Sequence, residues 1–158
     1  MVSTAAPATL IRARTGCDLQ RVDDVADAIR DFGARYLDRV YTSLEQEAYR
    51  SGGAPSLAAR FAAKEAVLKL IGTADGVDPR SVEITQHDGR PAVRLSGLAA
   101  TLAAAAGMGP IDISLSHAGD HALAVAVAIT VANPVTNPVT DTVTNPVTDT
   151  EEPRNDTA

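Results

Sequence analysis

Tryptophan is absent from this 158-residue sequence, and three tyrosines and two phenylalanines supply all of its aromatic surface. The 45% hydrophobic content must therefore come from aliphatic side chains and alanine, enough for one domain with its own core. Cysteine occurs once, at Cys17, so no intrachain disulfide can form and a reducing compartment fits. Nothing beside Cys17 resembles a base for a thiol nucleophile, and a small buried residue next to Asp18 is its expected role. Long hydrophobic runs are missing too. The longest, Ala122 to Ala132, is too short to span a bilayer, and no charged-then-apolar leader opens the sequence. A soluble cytoplasmic protein without membrane contact is expected.

An excess of positive charge is also lacking, since the net charge is −6. From Asn133 onward five acids face Arg154 alone, which leaves residues 1–132 with 15 acids against 13 bases. That balance does not suggest a nucleic-acid binder. Composition also divides the chain. Residues 1–9 are small and broken by proline, an expected loose leader, and residues 10–132 carry the periodic patterns of a folded domain. Residues 133–158 repeat N-P-V-T and D-T-V-T, a proline-punctuated period that predicts an extended, disordered tail.

What is present is a well-marked helix over Ser56 to Gly72, S-L-A-A-R-F-A-A-K-E-A-V-L-K-L-I-G. Ser56 suits an N-cap, no glycine or proline falls inside, and Gly72 stands where a left-handed end belongs. At about 100° per residue, Leu57, Phe61, Leu68 and Ile71 share one stripe, which predicts a largely buried helix. Lys64 falls inside that stripe and Glu65 on its flank, where a charge is costly unless paired, metal-bound or at a wet cleft. Glu65 and Lys69 lie one turn apart. An ordinary i,i+4 ion pair worth about 0.2–0.5 kcal/mol fits that spacing, and so does a functional pair addressing one space.

Before this helix, Leu10 to Leu19 reads as a strand ending near Asp18, whose carboxylate taken alone suits a strand-end or turn role first, with a site as the alternative. Val22, Val25, Ile29 and Phe32 recur at helical spacing with Asp23 as the expected cap. Gly33 interrupts, a short helical segment carries Arg35 and Arg39, and Thr42 to Glu45 has capping-box spacing for a helix to about Arg50. Ser51 to Pro55 reads as a loop. After Gly72, Thr73-Ala74-Asp75-Gly76-Val77 is a small-residue loop, a plain connector or a place where backbone can approach a phosphate. Val82 to Leu95 alternates around Asp88-Gly89, a hairpin signal. Leu98 to Ala106 is an alanine-rich helix closed by Gly107. A second hairpin turns at Ala118-Gly119-Asp120, with apolar residues on one face of its return strand and alanines on the other. His117 continues an apolar face at a strand end, which fits a core histidine as well as a site.

Arg60 to Lys69, R-F-A-A-K-E-A-V-L-K, closely resembles the signature helix of the holo-acyl-carrier-protein synthases, small 4'-phosphopantetheinyl transferases. Gly16-Cys17-Asp18-Leu19 resembles the family's first-strand G-x-D-[IL] motif, and Ser114-Leu115-Ser116-His117 its late S-x-S-H strand. The three motifs stand in the family's order within about Thr15 to Ile129. The resemblance implies an α+β fold, helices packed on an antiparallel sheet, and transfer of 4'-phosphopantetheine from coenzyme A to a carrier-protein serine with release of 3',5'-ADP. It implies Asp18 and Glu65 as Mg²⁺ ligands and a catalytic or phosphate-facing Lys69, with Glu65, directly or through a water, as the base. Arg60, Lys64, the Gly72 turn and His117 are implied as coenzyme contacts, and a homotrimer with sites between subunits as the assembly.

Two departures stand out. The loop glycines do not follow the family's usual G-T-G-I-G spacing, and Asp24 stands where family members carry an arginine for the acidic carrier. Arg21, with Arg14, Arg30 and Arg35 behind it, remains to receive a carrier. A non-catalytic carrier- or coenzyme-binding module is the competing expectation, and a structural domain whose charged helix forms an oligomer interface is a third.

Overall fold

The structure, a computed structural model, describes residues 10–132. The expected leader over 1–9 and repeat tail over 133–158 lie outside the described residues. Strand β1 (Leu10–Arg21) pairs antiparallel with β5 (His121–Ala132), and β5 pairs antiparallel with β4 (Met108–Ala118), so the order is β1-β5-β4. A second sheet is the hairpin of β2 (Val82–His87) and β3 (Arg90–Leu95), turned by Asp88 and Gly89 at positive φ as the sequence predicts. The helices are α1 (Val22–Phe32), α2 (Ala34–Val40), α3 (Ser43–Ile71) and α4 (Gly97–Ala105), with a 3-10 turn over Pro79–Ser81. This is the α+β arrangement expected.

Three local expectations are corrected. The two helices expected on either side of a five-residue loop are present as two halves of α3, but the loop is reduced to a kink at Gly53, non-helical at φ 61° and ψ −161°. A glycine takes that angle without steric cost, and Pro55, two residues on, falls where a helix needs no N–H. Ser56 is consequently inside the helix, not its cap, and its hydroxyl and carbonyl receive the Arg60 guanidinium at 2.6 and 3.0 Å. Asp23 does not cap α1; it pairs with Arg21 at 3.5 Å, while the Asp120 carbonyl takes the Val22 N–H. The Thr42 capping box is present as expected.

The core is aliphatic and rich in alanine, because α3 lies very close to the large sheet. Ala62, Ala63, Ala66, Val67 and Leu70 meet Ala124, Ala126 and Ala128 of β5, all buried. Gly16 makes the approach tighter still: a Cβ there would stand 2.0 Å from the Ala66 carbonyl oxygen and 2.8 Å from the Leu70 nitrogen. A smaller cluster of Val25, Val40, Tyr41, Leu57, Ala58 and Ala122 seats α1 and α2 against α3 just after its kink at Gly53.

The alanine face of β5 is thus the buried one, and its bulky face looks outward. Leu123, Val127, Ile129 and Val131 are 36–56% exposed, and Ile11 and Leu19 of β1, on the same face, exceed 60%. Cys17 shares that outward face and is exposed, not buried as expected.

Candidate active site

The register of β1 turns Gly16 and Asp18 to the helix side, opposite Ala126 and Ala124. Because Gly16 lets α3 settle on the strand, Asp18 comes within reach of the helix's charged flank. Lys69 Nζ donates to Asp18 Oδ1 at 2.7 Å and to the Cys17 carbonyl at 3.2 Å. The Asp18 carboxylate is only 16% exposed, whereas the Lys69 side chain is 55% exposed. Among the described residues no Glu65–Lys69 ion pair forms, so the ordinary i,i+4 pair is not what these two residues make. Lys69 leans instead across to β1.

Glu65 stands beside this pair. Burial pushes its carboxyl above the usual glutamate range, repulsion from Asp18 pushes it further, and Lys69 draws it partly back. The Asp18 carboxylate, the main influence on Lys69, raises that ammonium and keeps it protonated. Since folding raises the proton affinity of Glu65, its ionisation works against the fold. That cost is absent at low pH, appears as pH passes the unfolded-state value and is complete above the folded-state value. Asp18→Asn is expected to bring the Glu65 titration, followed by heteronuclear NMR of its carboxyl carbon, down toward the ordinary range, with burial preventing full return. An unchanged or higher titration would mean that the two carboxylates do not share a site.

Glu65 and Lys69 open onto a cleft of about 260 Å³ shared with Leu68, Gly72, Thr73 and Ala74. Gly72 takes the left-handed cap at φ 98°, its N–H bonded to the Leu68 carbonyl, so the chain turns at the cleft's rim. A larger cleft near Asp38, Gln46 and Arg80 includes none of the expected site residues. Asp78 already neutralises its only lining cation, Arg80, at 2.9 Å.

Asp18 and Glu65 provide hard oxygen donors of the kind Mg²⁺ prefers, and a divalent cation between them would relieve the repulsion that raises Glu65. The described residues contain no cluster of three or more His, Cys, Asp or Glu.

Lys64 needs a different role from the one expected. Its side chain is 1% exposed; its ammonium meets Glu45 Oε2 at 2.8 Å, the Pro79 carbonyl at 3.0 Å and the Val82 carbonyl. All three donors are therefore used inside the protein, and no coenzyme phosphate reaches them. Arg60 is half-buried, with Nη1 on Ser56 and Nε enclosed without a partner. His117 is exposed, which excludes the core-histidine reading. It shares the helix-side face with Asp18, but on β4, across the alanines of β5 and two residues further along. Two strand spacings, roughly 10 Å, separate it from the Asp18 row, so it is outside the Asp18–Glu65–Lys69 cluster.

Of the arginines expected to receive a carrier, Arg21 pairs with Asp23, and Arg30 with Asp27 and Asp31. Arg14 and Arg35 have no ion pair among the described residues. Sequence reasoning missed Glu45, read only as a capping-box residue. The one available signal was a lysine inside the apolar stripe of α3, which required a buried acid somewhere.

The profile of the 4'-phosphopantetheinyl transferase superfamily matches residues 14–126. The holo-[acyl-carrier-protein] synthase of Chloroflexus aurantiacus is 40% identical over 126 residues, covering 69% of this chain and 92% of that protein. That of Desulforudis audaxviator is 43% identical over 113 residues, covering 69% and 86%. Among solved structures, the Mycobacterium tuberculosis acyl carrier protein synthase superposes with a TM-score of 0.57 at 34% identity, covering 73% of this chain and 95% of that one. The ACPS-CoA complex of Chronobacterium ammoniagenes superposes with a TM-score of 0.67 at 27% identity, covering 77% and 99%.

Proposed function

This chain belongs to the 4'-phosphopantetheinyl transferase superfamily, and from that premise we propose that it acts as a holo-[acyl-carrier-protein] synthase. It moves 4'-phosphopantetheine from coenzyme A to a serine hydroxyl of an acyl-carrier protein, and 3',5'-ADP leaves. The observation that supports the reading is the 2.7 Å contact of Lys69 with Asp18, which joins α3 to β1 beside a cleft that Glu65 and Lys69 line. A purely structural helix has no need of that convergence.

Asp18 and Glu65 would hold Mg²⁺, which when bound supplies charge neutralisation to the pyrophosphate of coenzyme A. Glu65 takes the serine proton directly or through a water it orients. Lys69 donates to Asp18 and lines the cleft as a cation. It binds a phosphate oxygen or gives its proton to the leaving group. Gly72 turns the backbone at the cleft rim, where a phosphate can approach, and Arg60 and His117 supply more distant coenzyme contacts. A cytoplasmic setting fits a coenzyme A-dependent reaction and a chain with one free cysteine.

The acyl-carrier protein meets an unusual first helix. Of the four candidate arginines, Arg21 and Arg30 pair with neighbouring acids, so Arg14 and Arg35 are the two with no ion pair among the described residues to attract it. We also infer a homotrimer with active sites between subunits, as the family resemblance implies. The support is the bulky outward face of β1 and β5, which is too apolar to be left in water by a single copy. Val127→Glu with Ile129→Glu is expected to give a smaller species than wild type in sedimentation velocity. A wild-type chain that sediments as a monomer at micromolar concentration would refute the assembly.

The function is tested by intact-mass spectrometry of apo carriers incubated with this protein, coenzyme A and Mg²⁺, with an EDTA control. A gain of one phosphopantetheine group, lost with EDTA, is expected for at least one carrier of a panel. Silence across the panel would favour a non-catalytic binding module.

A further inference from the structure

The charges that sequence analysis places at the coenzyme are divided by the fold into two groups, and the buried one holds the other in place. Glu45 lies in the first half of α3, before the break at Gly53, and Lys64 in the second half. Their side chains are 0% and 1% exposed, and they meet at 2.8 Å. Glu45 Oε1 accepts the Ile84 N–H of β2 at 2.9 Å, and Oε2 accepts the Thr42 N–H at 2.9 Å. Lys64 donates in addition to Pro79 and Val82. Both halves of α3, the 3-10 turn and β2 are thereby tied at one point, with every Lys64 donor satisfied.

Such a pair is poor evidence of stability, because desolvating two ions costs about as much as their attraction returns, and apolar replacements are often neutral or stabilising. What it supplies is position. Lys64 is the residue before Glu65, so fixing its ammonium against β2 fixes the rotation and height of α3 one residue from the carboxylate that must face Asp18. Gly16 sets how closely α3 approaches β1, but a smooth glycine contact does not by itself set rotation.

We propose that Glu45, acting through Lys64, is a positioning residue for the Asp18–Glu65 carboxylate pair and thereby for its affinity for a divalent cation. The inference rests on the metal assignment made above. The test measures Mn²⁺ binding directly, by water-proton relaxation, and coenzyme A transfer separately. Glu45→Met with Lys64→Met removes both buried charges together, so no uncompensated ion is left, but the Thr42 and Ile84 N–H groups and the Pro79 and Val82 carbonyls lose these partners and the midpoint is expected to fall. The variant's Mn²⁺ affinity is expected to fall at least tenfold, with kcat at subsaturating Mg²⁺ falling likewise and the KM for coenzyme A unchanged. Should the double variant not fold, Glu45→Asp, which keeps a negative charge opposite Lys64 but draws it back by one methylene, carries the same expectation in direction. A folded variant that binds Mn²⁺ as wild type does would overturn the proposal and leave Glu45 a structural residue only. Wild-type binding that survives Asp18→Ala would overturn the metal assignment, and this inference with it, so the two failures are distinguishable.

Discussion

Glu65→Gln is expected to lower phosphopantetheine transfer by about a thousandfold, roughly 4 kcal/mol of transition-state stabilisation, without lowering the stability of the fold. The size follows from what the carboxylate is asked to do. A divalent cation at phosphoryl oxygens is worth several kcal/mol, and glutamine neither holds such an ion nor accepts the serine proton. The stability arm is the more diagnostic. Burial and repulsion from Asp18 both raise the Glu65 carboxyl, so its charge opposes folding at neutral pH. A neutral isostere removes that opposition, and the thermal midpoint should hold or rise as activity disappears. Transfer within tenfold of wild type would sink the assignment of Glu65. Loss of activity together with a lowered midpoint would point to a structural role instead.

Gly16→Ala, a single added methyl, is expected to destabilise the chain by about 3 kcal/mol or more, beyond the middle of the usual overpacking range. The clash is with backbone: 2.0 Å to the Ala66 carbonyl oxygen and 2.8 Å to the Leu70 nitrogen. No rotamer change relieves it, so β1 must lift from α3, and Asp18, two residues on, moves with the strand away from Lys69 and Glu65. Urea unfolding should report the stability loss, and the transfer assay a further loss at urea-free, fully folded conditions. Gly33→Ala is the control. Gly33 has φ 54° and ψ −133°, a backbone region that only glycine occupies readily, with nothing within 4 Å of an added Cβ, so the variant should lose about 1–3 kcal/mol to backbone strain and spare activity. Equal losses of activity at the two glycines would refute the close-approach argument.

Much of this could be read before any coordinates. The strands, the Asp88-Gly89 hairpin, the Thr42 capping box and the long helix all follow from local signals, because turn geometry, capping and periodicity are properties of a few adjacent residues. The motif residues Asp18, Glu65 and Lys69 were legible as candidates for the same reason: each stands in a short, ordered pattern. That the loop shrinks to a single-residue break at Gly53 was not legible, since Ser51 to Pro55 carries the composition of a loop.

What the tertiary structure alone decided is which charges are paired, and with what. Spacing offered Glu65 to Lys69 and named no partner for Lys64, which the resemblance alone assigned to the coenzyme. The fold gave Lys69 to Asp18, 51 residues earlier, and Lys64 to Glu45 and the 3-10 turn. It also decided that the alanine face of β5, not the bulky one, is inside. The physical reason is the same in each case. A charge finds its partner, and a strand its buried face, through contacts between distant segments, set here by how closely Gly16 and the alanines allow one helix to lie on one sheet.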